Sequence, residues 1–201
     1  MGLELQYPPG ATPLDPDDAA GLIPAHITTQ RQLNEWEYAN IARGEEWAFG
    51  RKHKDILSIG FVQTLHKNMF GDTWIWAGHI RTKETLPVGA APENIRPELK
   101  NLLGNVAAQL EDATWTLQEI AARFHHRMVY IHPFRNGNGR FSRTITDIML
   151  VQRGADRFAW GADLNHEGQA RERYIAALHS ADKREYGPLF TLLNVRQTGA
   201  A

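Results

Sequence analysis

The stretch Ile131-His132-Pro133-Phe134-Arg135-Asn136-Gly137-Asn138-Gly139-Arg140-Phe141-Ser142-Arg143 decides how the chain is read, because apolar residues at helical spacing run up to it and resume beyond it. Upstream, Leu117, Ile120, Ala121, Phe124, Met128 and Ile131 share one helical face. Downstream, Phe141, Ile145, Ile148 and Met149 continue a helix to about Arg153, where Gly154 is placed to stop it. Between them, two glycines alternate with two asparagines, the residues that adopt positive φ most cheaply, so the backbone can curl its N–H groups toward one point. Such a curl at a helix start suits an anion.

The arginines make that reading chemical. Arg140 falls in the first turn of the second helix, where a cation opposes the helix dipole unless an anion lies close by. Arg143, three residues on, can flank the same helix end, and two guanidiniums fit a polyphosphate better than a single small anion. His132, at the end of the preceding helix, can accept a proton at neutral pH and is the natural general base. Each feature alone is ordinary, since Gly/Asn turns, surface arginines and structural histidines abound. Their concentration in one short span is what points to a phosphate site.

Working outward, a helix is expected from a cap at Thr28 or Thr29 to about Phe49, and another over Lys54 to Phe70, ended by Gly71-Asp72. Arg81 to Pro92 is too rich in Pro and Gly for a helix, and β-branched residues among the breakers suggest a small hairpin or flap. Helical spacing returns over Leu99 to Leu110, at Tyr174 to Ala181 and at Leu189 to Leu193. The fold class is all-α, a compact helical bundle with a small β-hairpin flap. Residues 1–27 read as a partly extended leader, rich in Pro, Gly and Asp as far as Asp18, and residues 28–201 as one helical domain.

A chain of 201 residues with 42% hydrophobic residues, 22% charged residues and a net charge of -1 offers no global field for nucleic acid or an acidic membrane. With no cysteine, disulfides, thiolate metal sites and thiol nucleophiles are excluded. The N-terminus lacks a basic segment followed by an apolar run, and no stretch approaches membrane-spanning length, so a cytoplasmic location is expected.

The segment HPFRNGNGRFSR, His132 to Arg143, resembles the Fic family signature HPFx(D/E)GNGRxxR, agreeing at eight of nine specified positions. Phe61, Leu65-His66, Met69-Phe70 and Trp76-Ala77-Gly78-His79-Ile80-Arg81 look like that family's helix and pre-flap segment. Tyr174 to Leu193, with Ala181-Asp182 and Tyr186-Gly187-Pro188-Leu189, looks like its C-terminal helices, so the likeness covers roughly residues 55–193. The resemblance implies transfer of AMP from ATP to a hydroxyl side chain of a target protein. By position, His132 would deprotonate that hydroxyl. Asn138 and the N–H groups of Gly137 and Gly139 would hold phosphate oxygens, Arg140 would neutralise the outer phosphates and Arg143 would support the γ-phosphate. Thr82, Lys83, Glu84, Thr85, Leu86, Pro87 and Val88 would form a flap holding the target chain by β-augmentation.

One position departs from the signature. Where the family carries an acidic magnesium ligand, this chain has Asn136, whose amide offers an oxygen and no charge. Weaker use of magnesium or manganese, transfer of another phosphate-containing group, and a binding module without catalysis are the three alternatives. Gly139 argues against the phosphate-transferring branch, whose loop has Lys there. Fic proteins are often restrained by a helix carrying (S/T)xxxE(G/N), of which there is no clean copy here. Glu35 or Glu37 could reach Arg143 from the helix near Thr28, yet they read rather as a solvated face, and restraint could come from a regulatory, antitoxin-like partner protein. A rival metal-dependent phosphohydrolase site from His125, His126, His132 and Asp147 meets the objection that adjacent helical residues point about 100° apart. Trp160 reads as a core anchor or as the border of an adenine pocket.

Overall fold

The computed structural model describes residues 16–84, 89–112, 115–160, 164 and 168–196. Among these the chain forms helices α1 (Pro16–Ala19), α2 (Gln30–Phe49), α3 (Ile59–Phe70), α4 (Pro92–Asp112), α5 (Leu117–Ile131), α6 (Asn138–Val151), α7 (Gln169–Asp182) and α8 (Gly187–Leu192). The all-α reading holds.

Capping accounts for the boundaries. Thr29 accepts from Gln32 N while the Gln32 side chain reaches back, a capping box that starts α2, and Thr116 with Glu119 repeats the device at α5. The helix expected from Lys54 begins instead at Ile59, because Ser58 caps it by accepting from Phe61 N and Asp55 stands in left-handed backbone with φ 53°. Apolar spacing over Ile56 and Leu57 mimics the helical stripe, and Ile56 is buried without being helical. In the Arg81–Pro92 segment, Pro92 opens α4 rather than breaking it, a position where the missing N–H costs nothing.

Two antiparallel pairs make the frame, α2 against α3 and α5 against α6. At the first, a Cβ on Gly44 would lie 2.7 Å from Met69 Cα, so only glycine permits that approach. Asn40 then stitches the pair, donating to Asn68 O at 3.3 Å and accepting from Asp72 N and Thr73 Oγ1, each at 3.0 Å. Leu65, Met69, Phe124, Met128, Ile131, Phe134, Phe141 and Ile145 fill the centre.

The N-terminal segment differs from the expected loose leader over its described part. Trp76 Nε1 donates to Asp18 O at 3.0 Å, Ile23 N to Thr73 O at 2.9 Å and Ile75 N to Gly21 O at 3.0 Å, with an isolated antiparallel bridge between Leu22 and Trp74. Asp18 and Ile27 are buried. Pro16, Asp17 and Asp18, read in sequence as part of an extended leader, stand in a short helix ahead of turns packed on the α3–α4 connection.

Candidate functional site

The turn between α5 and α6 is built around an aromatic plug. Phe134 is fully buried and stacks on His66 with ring centroids 3.7 Å apart, and Phe70 lies beside His66 at 4.7 Å. His66 also accepts from Gly78 N through Nδ1 at 3.0 Å, so its Nε2 carries the proton donated to Asn136 O at 3.1 Å. Burial pushes the His66 pKa down to about 3, which keeps the ring neutral and both bonds intact. The sequence showed His66 only as part of a family resemblance; its position on an apolar helical face is the signal of a buried anchor.

His132 caps α5 in left-handed backbone, φ 53° and ψ 61°, its N–H bonded to Met128 O. Nδ1 lies 3.3 Å from Val129 O, which fixes the proton on Nδ1 and the lone pair on Nε2. Burial pushes its pKa down to about 4, with the Arg81 cation adding to the shift. Arg81 is buried, and donates to His132 O at 2.7 Å, Ala90 O at 2.5 Å and Lys83 O at 2.9 Å. Arg81 N bonds Pro133 O at 3.0 Å and Ala90 N bonds Ile131 O at 3.2 Å. Both ends of the flap segment are therefore tied to the turn beside the proposed base. The described flap residues Thr82, Lys83 and Glu84 are not in a strand, and Thr85, Leu86, Pro87 and Val88 lie outside the described residues. The sequence showed Arg81 only as the edge of the flap segment, because nothing local marks an arginine as a buried clamp for carbonyls.

Gly137 starts α6 at φ 76°, and a Cβ there would lie 2.6 Å from Phe70 Cζ, so glycine is required twice over. Its N–H donates to Asn136 Oδ1 at 2.6 Å, placing an oxygen where a phosphate oxygen was expected. Asn138 differs more. It is buried, accepts from Phe134 N at 2.9 Å and donates to Phe134 O at 2.8 Å, so its amide clasps the turn instead of facing a phosphate. Gly139 and Arg140 follow in the first turn of α6, which has no side-chain cap.

Arg140 meets the anion its position demands, and that anion is internal. Its Nη1 donates to Glu37 Oε2 at 2.6 Å, and its guanidinium lies 5.0 Å from the Phe70 ring. Glu37 is buried, with Trp74 Nε1 donating to its other oxygen at 2.8 Å. The expectation of a solvated face is corrected for Glu37 and stands for Glu35, which pairs with Arg31 on the surface. The partner of Glu37 is Arg140 and not Arg143. Burial raises the pKa of the Tyr174 phenol while the nearby Arg143 cation opposes that rise, and Arg171 stands close enough to Arg140 and Arg143 to feel both charges.

The donors available to a divalent cation are poor. Asn136 Oδ1 is neutral and already accepts Gly137 N–H, and no group of three or more His, Asp or Glu side chains among the described residues could hold a metal ion. The set does not fit a protein-held magnesium.

His125 and His126 diverge, His125 Nε2 lying 2.8 Å from Tyr174 Oη and His126 Nε2 2.9 Å from Asp182 Oδ1. Asp147 takes Trp160 Nε1 at 2.9 Å and Phe158 N at 3.3 Å. These separate partners replace the joint metal site of the phosphohydrolase reading, and they make Trp160 a partner of Asp147 and, at 4.4 Å, of the His125 ring.

Comparison with known proteins finds relatives of one kind. Residues 56–150 match the Fic/DOC family model. That segment, just under half of the chain, is the part that carries the match. The chain is 28% identical to protein adenylyltransferase fic-1 of Caenorhabditis elegans over 144 residues, 68% of this chain and 26% of the relative. It is 28% identical over 185 residues to "Probable protein adenylyltransferase y4lH" of Sinorhizobium fredii, covering 82% of this chain and 84% of that one. The chain thus spans about a quarter of the fic-1 relatives. The N-terminal Fic domain of a Bartonella quintana effector superposes with a TM-score of 0.69 at 21% identity, covering 87% of this chain and 86% of that one. BepC of Bartonella tribocorum, solved with AMPPNP, gives 0.68 at 18%, covering 90% and 97%. The bundle is therefore the Fic fold. No helix among the described residues is long and apolar enough to cross a membrane.

Proposed function

We propose that this chain is a protein adenylyltransferase, moving AMP from ATP to a Ser, Thr or Tyr hydroxyl of a target protein. In the transfer, His132 Nε2 takes the hydroxyl proton while the oxygen bonds the α-phosphorus. The bond to the β-phosphate bridging oxygen breaks and pyrophosphate leaves. The N-terminus of α6 and Arg140 hold the phosphates, Arg143 supports the γ-phosphate, and the flap from Thr82 to Val88 presents the target beside His132. Magnesium or manganese would come bound to the ATP phosphates, and no step of the transfer is assigned to a metal held by Asn136.

The observation that carries the reading is the His132 site. A neutral imidazole with its lone pair on Nε2 stands where both ends of the flap segment are pinned to the motif turn by Arg81 and Ala90. The names of the fic-1 and y4lH relatives and the family match support the same chemistry. The contact of Glu37 with Arg140 supports restraint of the nucleotide-free protein, since a phosphate must share or displace that carboxylate. A regulatory partner protein remains part of the proposal.

Incubation with α-labelled ATP, magnesium or manganese, and candidate target proteins tests it. Label on protein that disappears in His132→Ala supports transfer. Tight ATP binding with no label transferred under either metal leaves a nucleotide-binding module and refutes the enzyme.

A further inference from the structure

His132 stands in left-handed backbone, φ 53° and ψ 61°, directly before Pro133. A residue in front of proline ordinarily takes extended backbone, and a non-glycine residue at positive φ stays there only where its surroundings hold it. What holds it is the flap segment. Three successive carbonyls at the bend accept from that segment: Ile131 O from Ala90 N at 3.2 Å, His132 O from Arg81 Nε at 2.7 Å and Pro133 O from Arg81 N at 3.0 Å. The rest of the Arg81 guanidinium turns to the flap, Nη1 donating to Lys83 O at 2.9 Å and Nη2 to Ala90 O at 2.5 Å. A Cβ on Gly89, at φ 123°, would lie 2.5 Å from Arg81 Nη2 and 3.1 Å from His132 Cβ, so the returning flap backbone is pressed against guanidinium and imidazole residue alike.

A cation at the C-terminus of α5 is favourable for electrostatic reasons alone, and a lysine would serve. The fork does more. One planar guanidinium bonds the carbonyl of the base and carbonyls on either side of the flap, and its rigid plane fixes those points relative to one another. The Nδ1 contact of His132 with Val129 O at 3.3 Å, one turn back in α5, is made from this bend. We propose that Arg81 is a positioning residue that aims the His132 imidazole by holding its backbone carbonyl, and ties that aim to both ends of the flap. A target hydroxyl delivered by the flap then meets a base already directed at it. The assignment rests on the reading of His132 as the base and of Thr82 to Val88 as the target-holding flap.

Arg81→Lys keeps the cation and loses the fork, and Arg81→Met loses both. Imidazole 1H–15N spectra of the whole chain, with His132→Ala to assign the signals, read the base without any target protein. The unaltered chain is expected to show His132 as the neutral Nδ1–H tautomer at pH 7, and both variants a mixture of tautomers as the ring leaves Val129 O. ATP affinity by calorimetry is expected to stay within about twofold, while kcat for label transfer falls about a hundredfold in both variants, the cost of a misplaced base. A His132 spectrum unchanged in both variants, or full turnover in Arg81→Lys, overturns the positioning role. So does a lowered melting temperature with spectrum and turnover per folded molecule unchanged, which would leave Arg81 only a cap on α5. Should the variants fail to fold, solvent exchange of the Arg81 Nε proton in the unaltered chain decides: slow exchange supports the clamp and fast exchange overturns it. If the unaltered chain labels no protein, the transfer reading falls and the inference with it. If it transfers label and Arg81→Lys matches it in spectrum and turnover, the inference alone falls.

Discussion

Glu37 Oε2 accepts from Arg140 Nη1 at 2.6 Å, and the carboxylate is held from behind by Trp74 Nε1 at 2.8 Å. The pair joins α2 to the first turn of α6 and places a protein carboxylate beside the cation proposed to hold phosphate. Glu37→Gln keeps an oxygen for Trp74 and removes the competing charge. ATP affinity is expected to rise about three- to tenfold, read by calorimetry. A fall in affinity would mean that Glu37 orients Arg140 and does not restrain it.

The depressed pKa of His132 sets the expected acid limb of the proposed transfer. An imidazole pushed down to about 4 stays neutral and proton-accepting well below the ordinary histidine range near 6.5. The transfer rate is expected to hold from pH 7 to about pH 5 and to fall toward pH 4, in assays short against acid unfolding. A half-maximal rate near pH 6.5 would contradict a buried neutral base.

Asn136→Asp restores a charge at the position nearest the turn. The concentration of magnesium giving half-maximal transfer is expected to fall about tenfold, because a carboxylate supplies what the amide lacks. Unchanged metal dependence and unchanged turnover together would show that position 136 is not where the metal acts.

Asn138→Ala tests the clasp on Phe134. The substitution strands the buried N–H and carbonyl of Phe134, at an expected cost of about 2–4 kcal/mol, seen in urea unfolding as a lowered midpoint with unchanged slope. A loss of ATP binding without loss of stability would return Asn138 to the phosphate-binding role read from the motif.

Buried titrating groups give stability a pH dependence of known sign. His66 and His125 titrate near 3 in the fold and near 6.5 when unfolded. Between those values the unfolded chain binds more protons, so stability present above pH 6.5 is lost as pH falls, by up to about 1.4 kcal/mol per pH unit for each histidine. Asp147 runs the other way. Burial raises its pKa to about 6, so in the fold it holds a proton that the unfolded carboxyl has lost, and its cost is greatest above pH 6. Asp147→Asn is expected to stabilise the chain by about 2 kcal/mol at pH 7, and the gain should shrink to nothing near pH 4. Chemical denaturation at pH 7, 5.5 and 4 checks both signs.

The sequence was legible where local chemistry decides structure. The cap at Thr28 or Thr29 needed only the residue type, and the α5 and α6 stripes needed only helical periodicity. Periodicity misled at Lys54 to Ser58, where Ile56 and Leu57 are buried by tertiary packing and not by a helix. The clasp of Asn138 on Phe134 was not legible, because a motif records which residue stands at a position and not which way its amide turns.

What the sequence determined by itself is the all-α class, the turn from His132 to Arg143, and the demand of Arg140 for an anion at a helix start. These follow from backbone preferences, apolar spacing and the helix dipole, which act over a few residues. Which anion answers Arg140 was decided only by the tertiary structure. Glu37 lies 103 residues before it in the chain, and only the packing of α2 on α3 and of α3 on α6 brings the two within 2.6 Å. The same holds for Arg143, whose charge is felt by Tyr174 of α7. Long-range contacts of this kind depend on how helices pack, and no local pattern encodes them.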